Sequence, residues 1–182
     1  MRHLKVKKIN LVVILTAVIL FMGWIQTVAA ENHFKTLDLE MDKKDAEVLF
    51  RKEPYDTSTF PVAVLENGAR IPGRVEVVGQ FTRTFLKKSI LIRLNEGQKW
   101  QGNKKISLRS MSTDLSYMRE WMAWDLTSSL GMVSPKVEYY RLNINGQFIG
   151  LYLFIEWIDT SLFDRLGLGK DGEFYHPDDT VY

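Results

Sequence analysis

Beyond residue 30, apolar and polar residues alternate with a period of two along most of the chain, and turn residues cut the alternation into short runs. Successive side chains of a strand point to opposite faces, so this pattern predicts strands. It is clearest around Asn145-Gly146. Tyr140, Leu142 and Ile144 share one face before that pair, and Phe148, Gly150, Tyr152, Phe154 and Glu156 share one face after it. Asn-Gly between two such runs predicts a tight hairpin, because both turn positions tolerate positive φ. The other face of the returning run, Ile149, Leu151, Leu153 and Ile155, is apolar as well. The hairpin is therefore expected at the centre of its sheet, covered on both sides.

Earlier runs read similarly. Leu37, Leu39 and Met41 alternate with charged residues and predict an edge strand, after which Asp42 caps a short helix from Lys43 to Lys52 that Pro54 ends. Phe60 to Leu65 and Ala69 to Val78 flank Asn67-Gly68, a second hairpin signal. Between residues 114 and 130 the period lengthens: Leu115, Met118, Met122, Leu126 and Leu130 recur every three or four positions. That spacing predicts one long helix, capped by Thr113 or Asp114, stopped by Gly131, and packed through this stripe. Asp159 or Thr160 opens a last short helix through Leu166. The expected class is α+β: an antiparallel twisted sheet with one main packing helix.

Two lysines stand out against this pattern. Lys88 shares the face of Ile90, Ile92 and Leu94, and Lys104 that of Ile106 and Leu108. A lysine on a buried face needs a carboxylate or a bound anion, unless it lies at a strand end and carries its ammonium out to water. Both readings fit here.

The first 30 residues form a separate segment. Arg2, Lys5, Lys7 and Lys8 precede an uncharged apolar run, and Val28-Ala29-Ala30 closes it with small residues. This fits a signal peptide cleaved after Ala30, or an uncleaved anchor that contacts the membrane through residues 9–30. Either way the rest is expected to be extracytoplasmic, secreted or membrane-anchored, since basic flanks stay inside. Residues 31–58 then form the leading strand and short helix, and 59–182 the main domain. Of the 24 basic residues four precede residue 31, and none of the 22 acidic ones does, so the remainder carries a net charge of −2. With lysines clustered only in pairs, nucleic acid is not an expected partner.

The residue inventory excludes further classes. The chain has no cysteine and only His3, His33 and His176, which rules out thiolate chemistry and a paired-histidine metal site. It has no Gly-x-Ser-x-Gly elbow and no phosphate loop ending in Gly-Lys-Ser/Thr. Asp171, Glu173, Asp178 and Asp179 lack the spacing of a calcium loop. No metal ligand is assigned.

An ordered series of short segments remains. Lys87-Lys88-Ser89 lies in an alternating run, followed by Lys105-Ile106-Ser107-Leu108, by Asp114, and by Tyr117-Met118-Arg119 opening a helix. Leu130-Gly131, Pro135, Leu142-Asn143-Ile144-Asn145-Gly146, Gly150-Leu151-Tyr152, Glu156, Ile158-Asp159 and Gly172-Glu173-Phe174-Tyr175 come next. Taken together, over about residues 70 to 176, the series resembles the CotH kinase family. The glycine- and arginine-rich segment of that family appears only loosely, as Val77 to Arg83.

The resemblance implies a divergent protein-kinase-like fold that transfers phosphate from ATP, with magnesium or manganese, to serine on exported or spore-coat proteins. The strands and helix would be its amino-terminal lobe, in which a strand lysine holds nucleotide phosphates and a helix carboxylate orients it. On that analogy Lys88 or Lys104 is the lysine and Glu120 the carboxylate, and Glu156 before the connector completes the nucleotide-binding set. The family's Asp-Trp-Asp segment is missing; Trp124-Asp125, inside the predicted helix, is its nearest likeness. No catalytic residue is therefore assigned. The chain is expected to be a truncated front portion, inactive alone, with a separate C-terminal lobe as a partner. The alternative is a non-catalytic envelope or spore-coat assembly module, with Trp121, Trp124, Tyr139, Tyr140 and Trp157 serving packing or partner binding.

Overall fold

A computed structural model describes residues 34–168. The predicted signal or anchor over residues 1–30 and the acidic carboxyl-terminal residues lie outside the described residues. Among the described residues no helix is long and apolar enough to cross a membrane.

Seven strands form a closed barrel: β1 (Lys35–Glu40), β2 (Phe60–Glu66), β3 (Ala69–Val78), β4 (Ser89–Leu94), β5 (Lys105–Arg109), β6 (Val137–Ile144) and β7 (Gln147–Glu156). Their order around the barrel is β1-β2-β3-β4-β5-β7-β6, and β6 returns to β1. Every pairing is antiparallel except the closing one, where Lys35 to Leu39 run parallel to Tyr140 to Ile144. The predicted open sheet is thus corrected to a closed mixed barrel. Alternation states which side chains share a face, but it is the same for an open sheet and for one curled until its edges meet. The predicted edge strand pairs on both sides and is the closing strand.

The inward set is the alternating one. Leu37, Leu39, Val64, Val75, Ile90, Ile92, Ile106, Leu108, Leu142 and Tyr152 fill the interior, with Trp100, Tyr140 and Phe154 packed edge to face. Side chains filling the inside of a small barrel make it a solid core rather than a channel.

Among the described residues three short helices accompany the barrel: α1 (Lys43–Leu49), α2 (Arg119–Ser129) and α3 (Thr160–Leu166). Asp42 caps α1 by accepting from Lys44 N and Asp45 N, Asp159 caps α3 by accepting from Ser161 N, and Gly167 ends α3 in the left-handed region at φ 66°. The expectation of one main packing helix is also corrected. No residue of α2 is fully buried, and the predicted stripe faces outward: Leu115 is 98% exposed and Leu126 60%. The inward side is Trp121 and Trp124, which with Tyr117 and Tyr139 cover Met111, Leu153 and Ile155 on the outside of the barrel. The helix also starts later than its spacing suggests. Tyr117 takes a left-handed φ of 58°, and the Asp114 carboxylate accepts from Ser116 N at 3.0 Å and Arg119 N at 2.8 Å.

Candidate functional site

Between the end of β5, the short 3-10 turn Phe81–Thr84 and the start of α2 lies a cleft of about 410 Å³. Its walls include Thr82, Arg109, Thr113, Asp114, Arg119 and Glu120, and its floor Ser89, Ser110 and Ser112. The serines form a closed relay. Ser110 N donates to Ser89 Oγ at 3.0 Å, Ser89 Oγ to Ser110 Oγ at 3.3 Å, and Ser112 Oγ to the Lys87 carbonyl at 2.7 Å. Ser110 and Ser112 Oγ lie 2.8 Å apart, and since Ser112 spends its proton on Lys87, Ser110 is the donor between them. The floor therefore keeps its hydroxyl protons to itself.

Lys87 holds this floor from behind. Its Nζ donates to the Ser110 carbonyl at 2.8 Å and to the Leu151 carbonyl, and lies 4.8 and 4.5 Å from the ring centroids of Tyr117 and Tyr152. Burial pushes this ammonium down to about 8. Asp114 is held below the ordinary carboxylate range, chiefly by the Ser116 hydroxyl. The cleft thus contains an ionised, fully bonded aspartate beside two arginines and a glutamate. Arg119 lies 3.6 Å from Asp114 and is 80% exposed, while the Arg109 and Glu120 side chains have no hydrogen bond or ion pair among the described residues.

Of the four residues predicted to bind nucleotide, Glu120 lines this cleft. Lys88 is buried, at 5% exposure, and donates to the Arg83 carbonyl, with no carboxylate partner among the described residues. Lys104 is exposed between β4 and β5. Glu156 is buried in a two-point ion pair, with Arg165 Nε at 2.9 Å and Nη2 at 2.6 Å, and it also accepts from Lys136 N at 2.9 Å. Sequence reasoning named Lys87 and Ser89 within the family series without giving either a role, and did not single out Arg109, Ser110 or Ser112. The available signal was the second face of the Leu86 to Leu94 run, where Lys87 and Ser89 alternate opposite Lys88, together with Arg109-Ser110-Met111-Ser112.

Residues 75–181 match the sequence pattern of the family described as CotH kinase protein, more than half of the 182-residue chain. The chain belongs to the CotH family. The match begins within β3 and takes in the strand lysines, the cleft and α2. Over 149 residues this CotH-family chain is 29% identical to the inner spore coat protein H of Bacillus subtilis strain 168, an alignment covering 82% of the chain and 41% of that relative. The chain thus spans less than half the length of the relative it matches.

Proposed function

We propose that this CotH-family chain is the nucleotide-holding portion of an exported phosphotransferase that acts on serine in spore-coat proteins. The observation that carries the reading is the cleft: a preformed polar concavity with two arginines and the predicted Glu120 lies inside the region that matches the CotH pattern. ATP with magnesium or manganese is the proposed ligand. Holding the nucleotide is the role proposed for these residues, because arginines and a carboxylate around one cleft suit a metal-bound polyphosphate. The coat assignment draws on the similarity to a spore coat protein, and export on the pattern of residues 1–30. Coat proteins, or a separate C-terminal lobe, are the proposed partners.

The test is thermal unfolding with and without ATP and magnesium or manganese, each variant compared with its own nucleotide-free form. ATP at about 100 times its Kd stabilises by about 2.7 kcal/mol, enough to raise the Tm of a chain this size by several degrees. Glu120→Gln is expected to reduce the rise. No rise in the unmodified chain would end the nucleotide reading. The second reading, a non-catalytic coat-assembly module, is favoured by the outward apolar side of α2 and its flanks, where Leu115, Met122, Leu126 and Leu130 are all more than half exposed.

A further inference from the structure

The cleft contains cations that the strand-lysine analogy does not use. Lys88 is turned to the Arg83 carbonyl and Lys104 is on the exposed turn; neither lines the cleft. Lys87 is adjacent but is held by two carbonyls and two aromatic faces. The serine floor has no hydroxyl proton left for a ligand. By elimination the residues that line the cavity and keep a side-chain donor to offer are Arg109, the loosely held Arg119, Thr82 and Thr113.

Arg109 is the exceptional member of this set. The residues on either side of it in the fold are fixed: its backbone pairs with Leu153 in β7, and the next residue, Ser110, is tied to both Ser89 and Lys87. Its side chain, by contrast, has no partner among the described residues. A guanidinium on a rigid strand presents a planar fork of donors that matches a phosphate at two points. Glu120, on α2, lines the same cleft and would repel a bare anion, whereas a polyphosphate carrying a divalent cation offers positive charge to the carboxylate and negative oxygens to the arginines.

We propose that Arg109, assisted by Arg119, is the phosphate-holding residue of this cleft and that its ligand is the polyphosphate chain of a magnesium-bound nucleotide. The identity of the ligand rests on the nucleotide reading above; the assignment to Arg109 rests on the geometry of the cleft. Arg109 is exposed, so its replacement does not disturb the barrel interior.

Calorimetric titration of the full chain with magnesium tripolyphosphate and with magnesium ATP separates the two. Arg109→Met is expected to weaken both ligands at least tenfold, Arg109→Lys to recover part of the loss, and Lys44→Met, a cation on α1 away from the cleft walls, to change neither. Binding of both ligands by Arg109→Met as tightly as by the unmodified chain overturns the inference and leaves the nucleotide reading standing. Binding of ATP without tripolyphosphate also overturns it, since the affinity would then reside in the nucleoside. Tripolyphosphate bound in an Arg109-dependent way without ATP supports the clamp and ends the nucleotide reading. Binding of neither ends both.

Discussion

Lys87 shows what a single residue contributes to this molecule. Its ammonium is partly withdrawn from water between Tyr117 and Tyr152 and donates to backbone carbonyls of β7 and of the strand end after β5. Burial places it at about 8 in the folded protein against an ordinary 10.5, so folding disfavours its charged form. The linkage follows directly: stability is lowest below pH 8 and increases as pH rises toward 10.5, because the unfolded chain holds more protons in that interval. Tyr140 and Tyr152 act in the opposite sense. Burial raises both phenols, Tyr140 to about 12, so their stabilisation is complete below their ordinary value of 10 and is lost as pH climbs beyond it. Urea midpoints are expected to rise from pH 8 to about 10 and then to fall; Lys87→Met should abolish the rise and keep the fall. The sequence marked the neighbouring Lys88 instead. Alternation separates the two lysines onto opposite faces but does not say what covers each face, and Tyr117 reaches Lys87 through a left-handed residue that no periodicity announces.

At the scale of elements, α2 was legible in existence and misread in orientation. The spacing of Leu115, Met118, Met122, Leu126 and Leu130 is that of a packed face, yet the barrel takes up Trp121 and Trp124. A large indole covers more apolar surface than leucine or methionine, and two of them one turn apart span the outward side of Leu153 and Ile155 on β7. The hydrophobic count alone could not weigh that choice. Trp124→Ala is expected to cost roughly 2 kcal/mol, below the range for a fully buried tryptophan because the side chain is partly exposed. Leu126→Gln should change stability by about 0.5 kcal/mol or less. Paired guanidinium unfolding curves measure both, and a Leu126 variant as damaging as the Trp124 variant would reverse the orientation described. The hairpin and the caps at Asp42 and Asp159 were legible for a different reason, since their signals are local: a turn dipeptide, or a side chain bonded two residues on.

The whole molecule is held closed by long-range polar contacts at one seam. Asn145, in the hairpin turn at φ 52°, accepts from Met41 N and donates to the Met41 carbonyl, both at 3.0 Å, and Asn143 donates to Asp38 at 2.8 Å. Asn145→Ala removes two hydrogen bonds, at about 1 kcal/mol each, and should speed amide exchange in β1 more than in β3 or β4. Equal acceleration across all strands would mean that the seam has no stability of its own. Seven strands could be read one by one from the sequence, but their closure could not. Nothing within either run announces that Leu39 will lie beside Ile144 in parallel register.

That pairing sets a condition on how the chain comes together. Met41 and Asn145 are 104 residues apart, so the strand made first finds its last neighbour only after most of the polypeptide has been synthesised. Until then β1 carries an unsatisfied row of amides and carbonyls along a strand with one apolar face, the kind of template on which other chains add. Loop closure over such a span is slow, and the interval before it is when this protein is most open to aggregation. The ring that leaves the finished barrel without a free edge makes its earliest strand the one that waits longest.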